Sequence, residues 1–252
     1  MQAIILAAGR GSRLANALNG KPKCLAQVDR NMSLIDYQLS VLQSFGITDV
    51  CVVLGYRAHE VYRKIGDRTH CIINRRYAET NSLYSLWLTR NWVQEDCLIM
   101  NSDLLAHPRI YKRLLNAPDR AASYDSWPRH EEEEMNGSVN TKQLEKISKT
   151  MPIEESQGES LGLLKFSQAG MEALFTQAEV ALTEEGENQW APAAIARLAQ
   201  SQAISGIDMA GLPWVEIDFP EDLQQARQTI WPQIAKTAFT AFGQLEPQRK
   251  FG

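Results

Sequence analysis

Ala3-Ile-Ile-Leu-Ala-Ala-Gly-Arg-Gly-Ser-Arg13, followed shortly by Lys21-Pro-Lys-Cys-Leu25, sets a short apolar run directly against a glycine-rich, cationic turn. The run from Ala3 to Ala8 reads as a buried strand. Gly9 and Gly11 remove side chains where a backbone must pass close to phosphate oxygens, and the freed N–H groups can point inward as donors. Arg10, Arg13, Lys21 and Lys23 bring cationic groups within reach of the same anion. A glycine pair alone is compatible with an ordinary turn; coupled to Pro22-Lys23, it points to a nucleoside triphosphate.

Two familiar phosphate loops are excluded. G-x-x-x-x-G-K-[ST] is absent because Gly20-Lys21 is followed by Pro22. G-x-G-x-x-G fails because Leu14 stands where the third glycine belongs. What remains, L-A-A-G-x-G-S-R-L and then K-P-K-C-L, resembles the nucleotidyltransferases that join a nucleoside monophosphate to a phosphorylated sugar or small alcohol. That resemblance implies a nucleotide site on Leu6, Ala7, Ala8, Gly9, Gly11, Ser12 and Arg13.

Outward from this turn, short apolar runs alternate with helix-period stretches, the pattern of an α/β protein: a Rossmann-like, mixed but mainly parallel sheet with helices on both faces. Ser33 opens a helix with Ile35, Leu39, Leu42 and Phe45 on one face, ended by Gly46. Val50 to Leu54 and His70 to Asn74 read as strands, with a short helix carrying Val61 and Ile65 between them. Asn81 is placed to cap a helix through Leu83, Leu86 and Trp87, and Cys97 to Asn101 reads as a central strand ending at Ser102-Asp103. From Tyr124 the alternation fades into Trp127-Pro-Arg-His-Glu-Glu-Glu-Glu134 and a hairpin-like stretch through Asn136-Gly137, so residues 124–160 are expected to be an insertion flanking the site. Leu161 to Phe166 is a strand, and helices follow through Met171 to Ala178 and Ala193 to Ala199. The last strand is read as Trp214 to Asp218, with Pro220 starting the closing helix. Residues 1–231 are expected to form one domain. The helical extension 232–252 keeps an apolar spacing that suits packing on the body or, alternatively, on a partner subunit in a homodimer.

At 252 residues one domain can bury roughly three quarters of its unfolded surface. The net charge of −4 gives no electrostatic case for nucleic acid or an anionic membrane, so any anion site must be local. The four cysteines show no CxxC spacing and read as buried thiols of a reducing compartment. No basic leader or long apolar segment is apparent, and the expected location is cytoplasmic.

Ligands of open parallel sheets sit outside the carboxyl ends of the strands, where Gly9, Asp103 and Asp218 converge. Each aspartate alone would suit a turn or cap; together beside the glycine turn, they favour a shared Mg²⁺, completed by phosphate oxygens and water.

The resemblance narrows at Asn74-Arg-Arg-Tyr-Ala-Glu-Thr-Asn-Ser-Leu-Tyr-Ser-Leu-Trp87, which looks like the N-x-x-[YF]-x-x-T-N-N-x-x-S-L segment of bacterial phosphocholine cytidylyltransferases. Glu132 to Met135, Ile147 to Lys149, Gly158 to Phe166 and Trp214 to Leu223 are similar to the same group. The Q-P-x-G-L-A segment of the sugar-1-phosphate branch is not found. One departure is Ser82, where the group carries a second asparagine.

This resemblance implies attack by an acceptor phosphate oxygen on the α-phosphorus of CTP, with release of pyrophosphate. Thr80, Asn81 and Ser82 would complete the nucleotide site. Arg13 would hold the triphosphate, Lys23 the reacting phosphates and Lys149 the acceptor phosphate, although a solvated loop lysine is the plain alternative for Lys149. A quaternary ammonium acceptor calls for an aromatic and carboxylate cage, with Tyr84, Trp127, Trp190, Glu133 and Glu216 as candidates. The glutamate run is equally compatible with a solvated loop, and Trp190 with burial in a helix. Phosphocholine, phosphoethanolamine and 2-aminoethylphosphonate are not separated. A sugar-1-phosphate transferase and a nucleotide-binding regulator without turnover are the alternative readings.

Overall fold

The computed structural model describes residues 1–126, 136–140, 143–148 and 156–241. The strands are β1 (Gln2–Ala7), β2 (Gln27–Asp29), β3 (Met32–Ser33), β4 (Val50–Leu54), β5 (His70–Ile73), β6 (Cys97–Asn101), β7 (Leu104–Ala106), β8 (Arg120–Asp125), β9 (Asn136–Asn140), β10 (Gln143–Ser148), β11 (Gly158–Phe166), β12 (Ser205–Asp208) and β13 (Trp214–Glu216). The helices are α1 (Leu34–Ser44), α2 (Ala58–Ile65), α3 (Ser82–Trp87), α4 (Pro108–Leu115), α5 (Gln168–Glu184), α6 (Pro192–Ala199), α7 (Pro220–Gln225) and α8 (Trp231–Ala241). A π-helical turn, Ala226–Ile230, joins α7 to α8.

The opening apolar run lies inside the sheet, with β4 and β6 as parallel neighbours. Its side chains alternate as a doubly covered strand requires. Ala3, Ile5 and Ala7 enter the core shared with α1, α2 and α4, whereas Ile4 and Ala8 enter the one shared with α3, α5 and α6. Ile4 and Ile5 are fully buried, so truncating either to alanine costs about 2–5 kcal/mol.

The main sheet runs β5-β4-β1-β6-β11-β8-β12-β10-β9. Its first four strands are parallel, β11 reverses the direction against β6 and β8, and β12 returns parallel to β8. The expected α/β class, a mixed sheet with helices on both faces, is therefore observed. The start of β11 also pairs antiparallel with β9, so β9 is hydrogen-bonded to both β10 and β11.

Local signals place the helices. Ser33 caps α1 by accepting from the Asp36 N–H, and the chain leaves that helix through Gly46 at φ 75°. Asn81 Oδ1 accepts from the Ser82 N–H, and Pro220 occupies the first turn of α7.

Several boundaries differ from the sequence reading. The third strand stops at Ile73, because Asn74 turns inward to donate to Thr80 Oγ1 and Ser85 Oγ, both at 3.0 Å. Asn136-Gly137 starts β9 instead of turning the hairpin. Trp214–Glu216 is not part of the main sheet; it pairs antiparallel with β7 and ends before Asp218. Strand β12, which carries little apolar character, was not expected at all. Cys24, Cys51 and Cys97 are buried, but Cys71 is only partly so because β5 is an edge strand. Ile234 of α8 is fully buried in the main core, so this part of the C-terminal extension packs on the body.

Candidate active site

The glycine turn leaves β1 and enters a short 3₁₀ turn, Ser12–Leu14, through Gly11 in the left-handed region at φ 58°. A Cβ at Gly11 would lie 2.5 Å from Lys23 Cγ, so glycine permits both the turn and the approach of the lysine. The second basic segment is tied down from behind, since Tyr56 Oη and Arg57 Nη1 both donate to the Gly20 carbonyl, at 3.1 and 2.8 Å. Cys24, next to Lys23, is fully buried. Burial, reinforced by the Asp103 carboxylate, pushes its thiol up to about 12, so it is a protonated packing group.

Three carboxylates meet these cations. Asp103 lies in the turn from β6 to β7, Glu216 ends β13, and Asp218 follows it. The β7–β13 register sets Glu216 opposite Leu104, which brings it beside Asp103. One oxygen from each of Asp103, Glu216 and Asp218 lies within 4.8 Å of the others. Asp218 is held by its backbone, because Asp222 Oδ2 accepts from the Asp218 and Phe219 N–H groups at 2.9 and 2.6 Å. Glu216 Oε1 accepts from Asn101 Nδ2 at 3.4 Å.

The Lys23 ammonium stands between two of these acids, 3.4 Å from Asp103 Oδ2 and in direct contact with Asp218 Oδ1. Arg13 Nη1 donates to Asp218 Oδ2 at 3.0 Å, and its guanidinium lies 5.0 Å from the Phe219 ring centroid. Burial alone would lower the pKa of Lys23, but the Asp103 and Asp218 carboxylates together outweigh it and leave it raised. Asp103 is displaced upward, first by burial and also by Asp218, against the pull of Lys23. Its buried Oδ1 has no hydrogen-bond partner among the described residues. An all-oxygen donor set with one orphaned buried oxygen has the chemistry that a hard divalent cation takes.

A cavity of about 440 Å³ covers this cluster. Its lining brings together Leu6, Ala7, Ala8, Gly9, Gly11, Ser12, Arg13, Lys23, Thr80, Asn81, Ser82, Asp103, Trp190, Glu216 and Asp218, every one a residue singled out from the sequence. The start of α3 also positions the Trp190 segment. The Asn81 N–H donates to the Glu187 carbonyl at 3.2 Å, the Leu83 N–H to that of Gln189 at 3.1 Å, and the Ala191 N–H to Ser82 Oγ at 2.8 Å. Trp190 is 48% exposed at the cavity edge, not buried in a helix.

Two placements differ from the sequence reading. Tyr84 does not line the cavity; Arg76 lies 5.4 Å from its ring centroid and Trp87 5.8 Å. Glu216, expected in an acceptor cage, lines the cavity beside Asp103 and Asp218. Trp127, Glu133 and Lys149 lie outside the described residues. Asn74, Tyr77, Asn101, Ser160 and Ile195 also line the cavity and were not singled out as site residues. Of these, Asn101 carried a readable signal, its position at the carboxyl end of the central strand.

Residues 3–204 match the model of the MobA-like NTP transferase domain, and the chain belongs to this nucleotidyltransferase family. A CTP:phosphoglutamine cytidylyltransferase from Campylobacter jejuni is 27% identical over 250 residues, covering 89% of this chain and 98% of that protein. A choline-phosphate cytidylyltransferase from Streptococcus pneumoniae is 40% identical over 91 residues, 36% of this chain and 39% of that one. The inositol-1-phosphate CTP transferase from T. maritima shares the fold, with a TM-score of 0.73 at 19% identity over 91% of this chain and 97% of its own.

Proposed function

We propose that this member of the MobA-like NTP transferase family transfers CMP from CTP to a small phosphorylated, cationic alcohol of the phosphocholine type, or to its phosphonate analogue, releasing pyrophosphate in a Mg²⁺-dependent reaction. The observation that carries this reading is the juxtaposition of Asp103, Glu216 and Asp218 with Lys23 and Arg13 under the glycine turn. The relatives that use CTP support the choice of donor.

Asp103, Glu216 and Asp218 are the residues that would hold the metal. Bound there, Mg²⁺ supplies positive charge against the oxygens of the reacting phosphates, which otherwise repel one another. Arg13 and Lys23 exchange their carboxylate partners for oxygens of the triphosphate, and the glycine turn lets the backbone approach the same oxygens. No side chain has to remove a proton, because a phosphate monoester with a second pKa of about 6 is already largely ionised at neutral pH. A phosphonate presents the same kind of anionic oxygen. The chain's contribution is therefore alignment and charge neutralisation. Trp190 offers a ring face to a cationic acceptor, and Lys149 is assigned to the acceptor phosphate.

Pyrophosphate release tests the reading directly, with each of the four ribonucleoside triphosphates against phosphocholine, phosphoethanolamine, 2-aminoethylphosphonate and glucose 1-phosphate. Turnover with CTP and one of the first three is expected. Turnover with the sugar phosphate alone would overturn the choice of branch.

A further inference from the structure

Helix α1 carries a glutamine that the reaction chemistry does not require. Gln38 is fully buried, yet nothing in its helix uses its amide. Instead Nε2 donates to the carbonyls of Asn101 and Leu104, both at 2.9 Å. These two carbonyls flank Ser102-Asp103, so the two hydrogens of one amide span the turn that presents the carboxylate. Gln38 Oε1 is buried with no hydrogen-bond partner among the described residues. Leaving a polar atom unsatisfied is costly, and the side chain carries that cost while its other end pairs two carbonyls of a single turn. A fully buried amide that keeps one orphaned end and spends the other on a single turn is explained by what that turn carries.

We infer that Gln38 is a positioning residue for Asp103, setting the direction in which that carboxylate enters the acidic cluster. The inference rests on the proposed role of Asp103, Glu216 and Asp218 as metal ligands. The clamp reaches further through the same turn. Asn101 donates to Glu216, and the Ile217 N–H donates to the Asp103 carbonyl at 3.0 Å, so Gln38 fixes the element against which the other two acids are registered. Groups that orient a metal ligand commonly change metal affinity about 10- to 100-fold when removed.

The test compares wild type, Gln38→Met, Tyr37→Phe and Asp103→Ala as full-length chains, reading bound Mn²⁺ by EPR with CTP present and melting temperature by circular dichroism. Tyr37→Phe is the structural control, since it deletes a buried hydrogen bond from the same helix to the Ala106 carbonyl, at 2.7 Å, outside the clamped turn. Gln38→Met is expected to weaken Mn²⁺ binding about 10-fold or more while folded, and Tyr37→Phe to lower the melting temperature with Mn²⁺ affinity unchanged. If Gln38→Met binds Mn²⁺ as wild type does, while Asp103→Ala does not, the positioning role is overturned and the metal assignment stands. If wild type and Asp103→Ala bind Mn²⁺ equally, the metal assignment fails and takes the inference with it.

Discussion

Arg13 Nη1 donates to Asp218 Oδ2 at 3.0 Å, across 205 positions of chain, joining the cationic turn that follows the first strand to a carboxylate near the last. The Lys23 ammonium contacts the other oxygen of the same carboxylate. Asp218 therefore holds two cations that the proposed reaction needs on phosphate. The Asp218→Ala variant is expected to bind CTP more tightly than wild type in EDTA, because Arg13 and Lys23 each lose one carboxylate that competes with the triphosphate while Lys23 keeps Asp103, and yet to turn over more slowly with Mg²⁺ present. Calorimetric titration of CTP into the two metal-free proteins checks this; weaker binding by the variant would show that Asp218 does not compete with the triphosphate.

Gly11→Ala tests the fit between the glycine turn and Lys23. The added methyl must occupy a left-handed backbone, at about 1–2 kcal/mol, and would lie 2.5 Å from Lys23 Cγ. The lysine has to move, so the expected outcome is a lower melting temperature together with a raised KM for CTP. A variant that melts earlier but keeps its KM would mean that the position of Lys23 is not set here.

Trp190 should matter to the acceptor and not to the donor. Trp190→Ala removes an exposed ring at the cavity edge, so the fold should hold while KM for a cationic acceptor rises about 2- to 30-fold, the range of a cation–π contact. Steady-state kinetics with each substrate varied in turn would separate the two. A change confined to CTP would place the ring on the other side of the cavity.

A pH effect on stability follows from Asp36, which lies outside the site. Burial alone would raise its pKa, but hydrogen bonds from Lys64, Ser33 and Arg68 outweigh it and hold the carboxylate below its usual range. A depressed folded value means stability that is complete above the ordinary carboxylate range and is lost as pH falls through the folded value. Asp36→Asn should thus destabilise the protein by about 1 kcal/mol at pH 7, a modest figure because Lys64 and Arg68 are partly solvated. The two melting curves should converge in acid. A difference that persists at low pH would assign the loss to packing instead.

Much of this was readable in the residues, for identifiable reasons. The strand at Ala3–Ala8 showed itself because it is buried on both faces, and α1 and α3 announced their starts through Ser33 and Asn81, whose side chains meet their own backbone. Asp103 and Asp218 were visible as acids following apolar strands. The nearness of Glu216 to Asp103 and Asp218 was not legible, because it depends on the β7–β13 register, a long-range pairing with no local signature. Tyr84 was misplaced because helical spacing says which residues share a face but not which face meets the cavity. Gln38 was invisible for a related reason: one polar residue among several in an amphipathic helix looks solvated until the turn it clamps is known.

The most direct test of the account is the Mg²⁺ dependence of pyrophosphate release from CTP, with the best acceptor of the panel, in wild type and in folded Asp103→Ala. The account predicts a wild-type rate that is lost in EDTA and saturates with Mg²⁺, and a variant rate at least about 100-fold lower at every Mg²⁺ concentration. Equal rates for the two proteins would contradict it.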